Sequence, residues 1–200
     1  MKRVALTGSI GMGKSTTLGF FRDAGIPVHS SDETVHALYA ESAAPLIEAA
    51  FPGTVKDGVV DRQALARLVV GNEPSMKRLE AIIHPLVRQE ELAFAKNAEA
   101  SGAPFAVFDI PLLFETGRAD AFNKIIVVSA PAELQKQRVL ARPGMTLEKF
   151  EAILARQMPD AEKRKRADYV IDTGSGLDAA RQAVNNIIAE MAGESPFGSR

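Results

Sequence analysis

Gly8, Gly13, Lys14 and Ser15 are the residues whose types and spacing carry the plainest chemistry. Within Thr7-Gly8-Ser9-Ile10-Gly11-Met12-Gly13-Lys14-Ser15-Thr16 they satisfy G-x-x-x-x-G-K-[ST], the pattern of a loop that wraps phosphates. Glycines without a Cβ let the backbone curl and turn its N–H groups toward an anion. Val4 to Leu6 read as a short buried strand before the loop, and Thr16 opens a helix after it, adding the positive end of a helix dipole. Lys14 then reaches the β and γ phosphates of a nucleoside triphosphate, and the Ser15 hydroxyl is placed for Mg²⁺. Gly8 through Thr16 are therefore the expected nucleotide cradle. The bland alternative is a glycine-rich turn with a chance Lys-Ser.

Four other groups could do chemistry. Asp32 follows a short strand and could take a proton from an attacking hydroxyl or order metal-bound water. In Ser30-Ser31-Asp32-Glu33 it could equally be a helix N-cap. Asp109 closes the apolar strand Phe105-Ala106-Val107-Phe108 and could hold a metal through water, or merely cap the turn before Pro111. Arg138, Arg142, Arg156 and Lys163-Arg164-Lys165-Arg166 make one stretch basic. It suits a mobile lid that brings positive charge to a transferring phosphoryl group, or else a solvated helix face. His84 and Arg88 stand one helical turn apart, where they could meet an anion together or be structural. No Asn-Lys-x-Asp is present, which disfavours a GTP-driven switch.

The elements that must position these groups are legible from periodicity. A helix is expected over Thr16–Ala24, a strand over Ile26–Val28, helical spacing over Thr34–Tyr39 and Pro45–Phe51, and a small hairpin at Val55–Val60 around Asp57-Gly58. Helices are predicted at Arg62–Val70 and from Ser75 to about Ala100, kinked at Pro85. Strands follow at Ala106–Ile110, Lys124–Ser129 and Tyr169–Asp172; helices are expected from Pro131, over Leu147–Gln157 and over Leu177–Met191. Short apolar strands alternating with helices predict a parallel sheet covered on both faces, with ligands outside its carboxyl edge. Asp32, Asp109, Ser129 and Asp172 all fall on that edge.

A chain of 200 residues supports one α/β domain with a sizeable core. Its formal net charge of −1 gives no field that would draw nucleic acid or an anionic membrane. It has no cysteine, so disulfides and thiol chemistry are excluded, and no apolar run long enough for a signal peptide or a membrane span. A soluble cytoplasmic protein is expected.

The ordered set of motifs resembles the dephospho-coenzyme A kinases. The phosphate loop, Ile26-Pro27-Val28 to Asp32, Ile83-His84-Pro85-Leu86-Val87-Arg88, Pro111-Leu112-Leu113-Phe114-Glu115, Arg156-Gln157-Met158 and Ala167-Asp168-Tyr169-Val170-Ile171-Asp172 occur in the family's order, to about residue 190. The resemblance implies a P-loop nucleotide-kinase-like three-layer α/β fold with a five-stranded parallel sheet. It implies a core at about 1–30, 103–137 and 167–192, a helical substrate region at about 31–102, a lid at about 138–166 and a flexible tail at 193–200. The activity implied is transfer of the ATP γ-phosphate to the ribose 3′-hydroxyl of dephospho-coenzyme A, with Mg²⁺, by a chain read as a monomer. Asp32 would be the base, Lys14, Arg138 and Arg142 would act on the phosphates, and His84, Arg88, Leu113 and Asp109 would face the acceptor. Ser30 stands where the family carries an earlier acid, and Ser9 and Met12 where it often has Gly and Ser. The other readings are a small-molecule kinase with a nucleoside or shikimate-like acceptor, and an ATP-binding regulatory module.

Overall fold

The structure, a computed structural model, describes residues Met1–Gly193. The chain divides into two compact units, Met1–His29 with the chain from Ala98 on, and Ser30–Asn97.

The first unit is built on a central sheet. Strand β1 (Lys2–Thr7) runs into the phosphate loop, which delivers helix α1 (Lys14–Asp23), and Ala24-Gly25 turn the chain back toward β2 (Val28–Ser30). After the second unit come β5 (Phe105–Asp109), β6 (Lys124–Ser129), α6 (Ala132–Leu140), α7 (Leu147–Leu154), α8 (Asp160–Lys165), β7 (Tyr169–Asp172) and α9 (Leu177–Met191). The five strands lie in the order β2-β5-β1-β6-β7. β1 runs parallel to both β5 and β6, and β6 parallel to β7, with Leu6 opposite Asp109 and Ser129 opposite Asp172. β5 is buried at every residue, as a strand covered on both faces must be. Val4, Leu6, Phe105, Val107, Ile126 and Val128 meet Leu18 and Phe21 of α1 and Val184 and Ile187 of α9 in one apolar core.

The second unit packs α2 (Ser31–Ala40), α3 (Ala44–Ala50), the β3–β4 hairpin (Val55–Lys56 and Val59–Val60), α4 (Arg62–Val69) and the long α5 (Glu73–Ala100), whose last residues reach into the first unit. Its own core gathers Leu38, Ile47, Phe51, Leu65, Val69, Leu79 and Ile83. Asp57 and Gly58 take φ of 51° and 79° at the hairpin turn, the left-handed pair that such a two-residue loop demands.

Several expectations shift. The second strand is Val28–Ser30, not Ile26–Val28; Pro27 has no N–H for the ladder and contributes only its carbonyl, to Val107 N–H at 2.9 Å. α5 begins at Glu73, two residues before the expected Ser75, and includes Pro85. α7 stops at Leu154 because the chain tightens, Arg156 N–H bonding Ile153 O at 3.1 Å and Gln157 N–H bonding Leu154 O at 3.0 Å. α8 was not expected as an element at all. No helix among the described residues is long and apolar enough to cross a membrane. The tail expected at 193–200 falls, beyond Gly193, outside the described residues.

α8 also carries a correction. Lys163, expected among the cations of a lid, has a side chain with 0% exposure, and its Nζ lies 2.8 Å from Glu115 Oε1. The same oxygen accepts Met158 N–H at 2.8 Å. Burial pushes the Glu115 carboxyl up, but the Lys163 ammonium and Met158 N–H outweigh it and hold it below its usual range. This ammonium is a structural strut. It serves no phosphate, because no part of it reaches the surface.

Removing one partner of a buried pair leaves the other charge uncompensated, at a cost of about 3–5 kcal/mol. Glu115→Gln should therefore lower the melting temperature sharply at neutral pH, and Glu115→Gln with Lys163→Met should recover much of the loss. Because the folded carboxyl is depressed, the wild-type advantage over Glu115→Gln is complete above the ordinary value of 4.5 and fades as pH falls below it. Thermal melts of the three proteins across pH check this.

Candidate functional site

The loop between β1 and α1 takes its shape from positions where a side chain cannot go. A Cβ on Gly8 would come 2.7 Å from Val128 O, and one on Gly11, at φ 78°, would strike Val139 Cγ2 at 2.4 Å. Gly13 is the N-cap of α1 at φ 89°, so the loop enters the helix through a left-handed residue that only glycine adopts cheaply. Met12 is buried, and its sulfur accepts Ala130 N–H at 3.1 Å. Thr173 Oγ1 donates to Met12 O at 2.8 Å and accepts from Arg138 Nη1 at 2.9 Å; Arg138 Nη2 donates to Thr173 O at 2.8 Å. The loop is thus bolted to the ends of β6 and β7 by groups of α6 and the β7–α9 turn.

At the helix end of the loop, Lys14 Nζ bonds Asp109 Oδ1. The side chains are 13% and 5% exposed, so the pair is largely desolvated. It follows from sheet register, since Leu6 leads into the loop and its partner on β5 is Asp109. Ser15 and Thr16, at the start of α1, are exposed, as residues that meet a ligand should be. Among the described residues no group of three or more His, Asp or Glu gathers as a preformed metal cage.

Beside the loop lies a cavity of about 310 Å³ lined by Gly11, Gly13, Thr16, Thr17, Phe20, Arg138, Arg142, Thr173, Gly176, Leu177 and Ala180. It places both predicted arginines next to the phosphate loop. Arg138 is fixed there by Thr173, while Arg142 is exposed. The β7–α9 turn, which Arg138 meets at Thr173, also lines the cavity; that turn is shaped by Asp172, which accepts Gly174 N–H at 2.7 Å and the Ser175 hydroxyl at 2.8 Å. Those two bonds, with Arg164 and Arg138 nearby, hold the Asp172 carboxyl below its usual range. Of the other basic residues, Arg166 lies over the Phe114 ring at 5.8 Å and Lys165 pairs with Glu162 at 2.7 Å, so the stretch is not one continuous cationic face.

In the second unit, Asp32 lies in the first turn of α2, two residues past the end of β2. The N-cap is not Asp32 but Ser30, whose hydroxyl accepts Glu33 N–H at 3.3 Å. Asp32 is exposed and its carboxylate makes no hydrogen bond to a described residue, which removes the capping alternative. His84 and Arg88 are both exposed on one face of α5, along a groove of about 720 Å³ shared with Gln89, Leu92 and Lys96. The other two expected acceptor contacts are buried: Leu113 is fully buried in the turn after β5, and Asp109, 3% exposed, is paired with Lys14 at the phosphate loop. Sequence reasoning missed Thr173 and Gln135, whose roles depend on contacts far apart in the chain.

A family model described as "CoaE: Dephospho-CoA kinase" matches residues 2–179. A dephospho-CoA kinase from Mesorhizobium japonicum is 61% identical over 191 residues, covering 96% of this chain and 97% of that protein. Among solved structures, TT1252 from Thermus thermophilus is 37% identical, with a TM-score of 0.80 and 94% and 97% of the two chains covered. Dephospho-CoA kinase from Campylobacter jejuni is 28% identical, with a TM-score of 0.69 and coverage of 95% and 97%.

Lys14→Ala should cut phosphoryl transfer by orders of magnitude, because no other lysine lies in the loop. It also strands the Asp109 carboxylate in a nearly dry site. Steady-state turnover at saturating ATP measures this, and near-normal turnover would remove the phosphate-loop assignment.

Proposed function

The chain belongs to the dephospho-coenzyme A kinase family, ATP-dependent phosphotransferases that complete coenzyme A synthesis, and from that premise we propose how its residues divide the work. The observation that carries the proposal is the Lys14–Asp109 pair at the mouth of a glycine-shaped loop, beside a cavity walled by Arg138 and Thr173. The triphosphate of ATP lies in the curl of Gly8 to Thr16, and the adenosine occupies the cavity between α6 and the β7–α9 turn. Lys14 exchanges part of its bond to Asp109 for the β and γ phosphates. Arg142, whose side chain is exposed and makes no hydrogen bond among the described residues, meets the phosphates as the stretch between it and Gln157 closes over them.

Mg²⁺ fits the residues present. The exposed Ser15 hydroxyl and the Asp109 carboxylate are hard oxygen donors, and the lack of a cage among the described residues suits an ion held mainly by phosphate oxygens and water. When bound it would neutralise charge on the β and γ phosphates. The chain's own residues supply the rest: Lys14 and the arginines spread the charge of the transferring group, and the loop's N–H groups orient it.

The acceptor side is the Ser30–Asn97 unit. The Asp32 carboxylate, freed from capping by Ser30, takes the proton of the ribose 3′-hydroxyl as that oxygen bonds the γ-phosphorus and ADP departs. His84 and Arg88 hold anionic groups of dephospho-coenzyme A along α5. We take the working unit as a single cytoplasmic chain without nucleic-acid or membrane partners, in line with its near-zero net charge.

Two measurements test the division. Asp32→Asn should melt with the wild type, because Ser30 carries the cap, and should lose about 10²–10⁴-fold in dephospho-coenzyme A-dependent ADP release. A loose transition state needs little help from a base, so a loss near the lower end still supports the role; a fully active variant refutes it. Arg88→Ala should raise KM for dephospho-coenzyme A far more than KM for ATP. Equal rises, or a rise for ATP alone, would return Arg88 to the fold or to the nucleotide site.

A further inference from the structure

Arg156-Gln157-Met158 is a motif of the sequence to which the proposed chemistry assigns no work, and within it Gln157 reaches the phosphate loop. Its Oε1 accepts the backbone N–H of Ile10 at 3.1 Å, across most of the chain. The carbonyl of the same residue is held from the other side, by Gln135 Nε2 at 2.8 Å. Ile10 is the only residue of the phosphate loop whose two main-chain polar groups are both bound by side chains among the hydrogen bonds of the described residues.

We propose that Gln157 is a positioning residue of the nucleotide site: it pins Ile10, and so fixes the leading edge of the loop before any phosphate arrives. The physical argument runs through the ligand-free state. A phosphate loop works because its N–H groups are already aimed when the anion arrives. An N–H turned inward without a partner is costly, and the loop would otherwise relax to satisfy it. Gln157 satisfies the N–H of Ile10 and Ser9 O that of Met12, at 3.2 Å, which leaves the N–H groups of Gly11 and of Gly13 to Ser15 for phosphate oxygens.

The side chain can do this because its own backbone is immobilised. Gln157 N–H bonds Leu154 O at 3.0 Å, and the next N–H, of Met158, bonds Glu115 Oε1 at 2.8 Å. Glu115 is in turn held by the fully buried Lys163. The strut, the turn after α7 and the loop therefore form one chain of contacts, from α8 to Ile10. It also ties the segment 156–163 to the sheet, so closure of the lid region has to come from what lies between Arg142 and Gln157.

The inference rests on the loop being the triphosphate site, and the test separates the two. ATP and adenosine binding to wild type and Gln157→Leu are measured by calorimetry without acceptor, alongside thermal melts. Loss of one hydrogen bond that orients the loop should weaken ATP about threefold to tenfold, leave adenosine unchanged and leave the melting temperature near wild type. Equal weakening of ATP and adenosine, or no weakening of ATP, overturns the proposal. Should Gln157→Leu fail to fold, amide exchange in the ligand-free wild type decides: a protected Ile10 N–H supports the pin, and a freely exchanging one overturns it. A wild type that does not bind ATP would instead sink the phosphate-loop reading itself.

Discussion

The ion pair of Lys14 and Asp109 exists only because β1 and β5 run side by side with Leu6 opposite Asp109. A slip of one residue would turn the acid to the other face of the sheet and leave the loop's ammonium without its partner. Both side chains are mostly out of water, so each is costly without the other. The arrangement stores a cation at the point where a triphosphate brings negative charge. The ligand then replaces one favourable interaction with another, and no bare lysine has to be held in place.

Around that pair the molecule spends its polar groups on rigidity. Thr173, Met12 and Gln135 bind the loop to the β6 and β7 side. Glu115 and Lys163 fasten the segment after α7 to the turn after β5. Such fixed dipoles serve phosphoryl transfer well, since most of its catalysis is positioning and charge stabilisation with little rearrangement at the moment of reaction. Ser15, Thr16, Asp32, His84, Arg88 and Arg142, by contrast, are exposed.

Much of this was legible in the sequence, and the reason is local. The phosphate loop declares itself in eight consecutive residues, and Lys124–Ser129, Tyr169–Asp172 and Leu177–Met191 were placed at their observed bounds because apolar periodicity marks them. What failed needed partners far away in the chain. Lys163 looked like one more lid cation, and only Glu115, folded against it, makes it a buried strut. Leu113 sat in a telling motif but is fully buried. Asp32 could not be told from an N-cap until Ser30 was seen to accept Glu33 N–H, a matter of two residues in where β2 ends. Thr173 carries no local signal, and Gln157 stands in a motif that does not show its work, since each matters through a loop more than a hundred residues away.

The central claim is that the phosphate held by this loop goes to one hydroxyl of one acceptor. It is tested most directly by supplying ATP labelled with ³²P at the γ-phosphate together with dephospho-coenzyme A, isolating the product and treating it with a 3′-nucleotidase. The account predicts that label enters the product only when dephospho-coenzyme A is present and that the 3′-nucleotidase releases all of it as inorganic phosphate. Label that resists the 3′-nucleotidase, or ATP turnover that proceeds equally well without dephospho-coenzyme A, would contradict it.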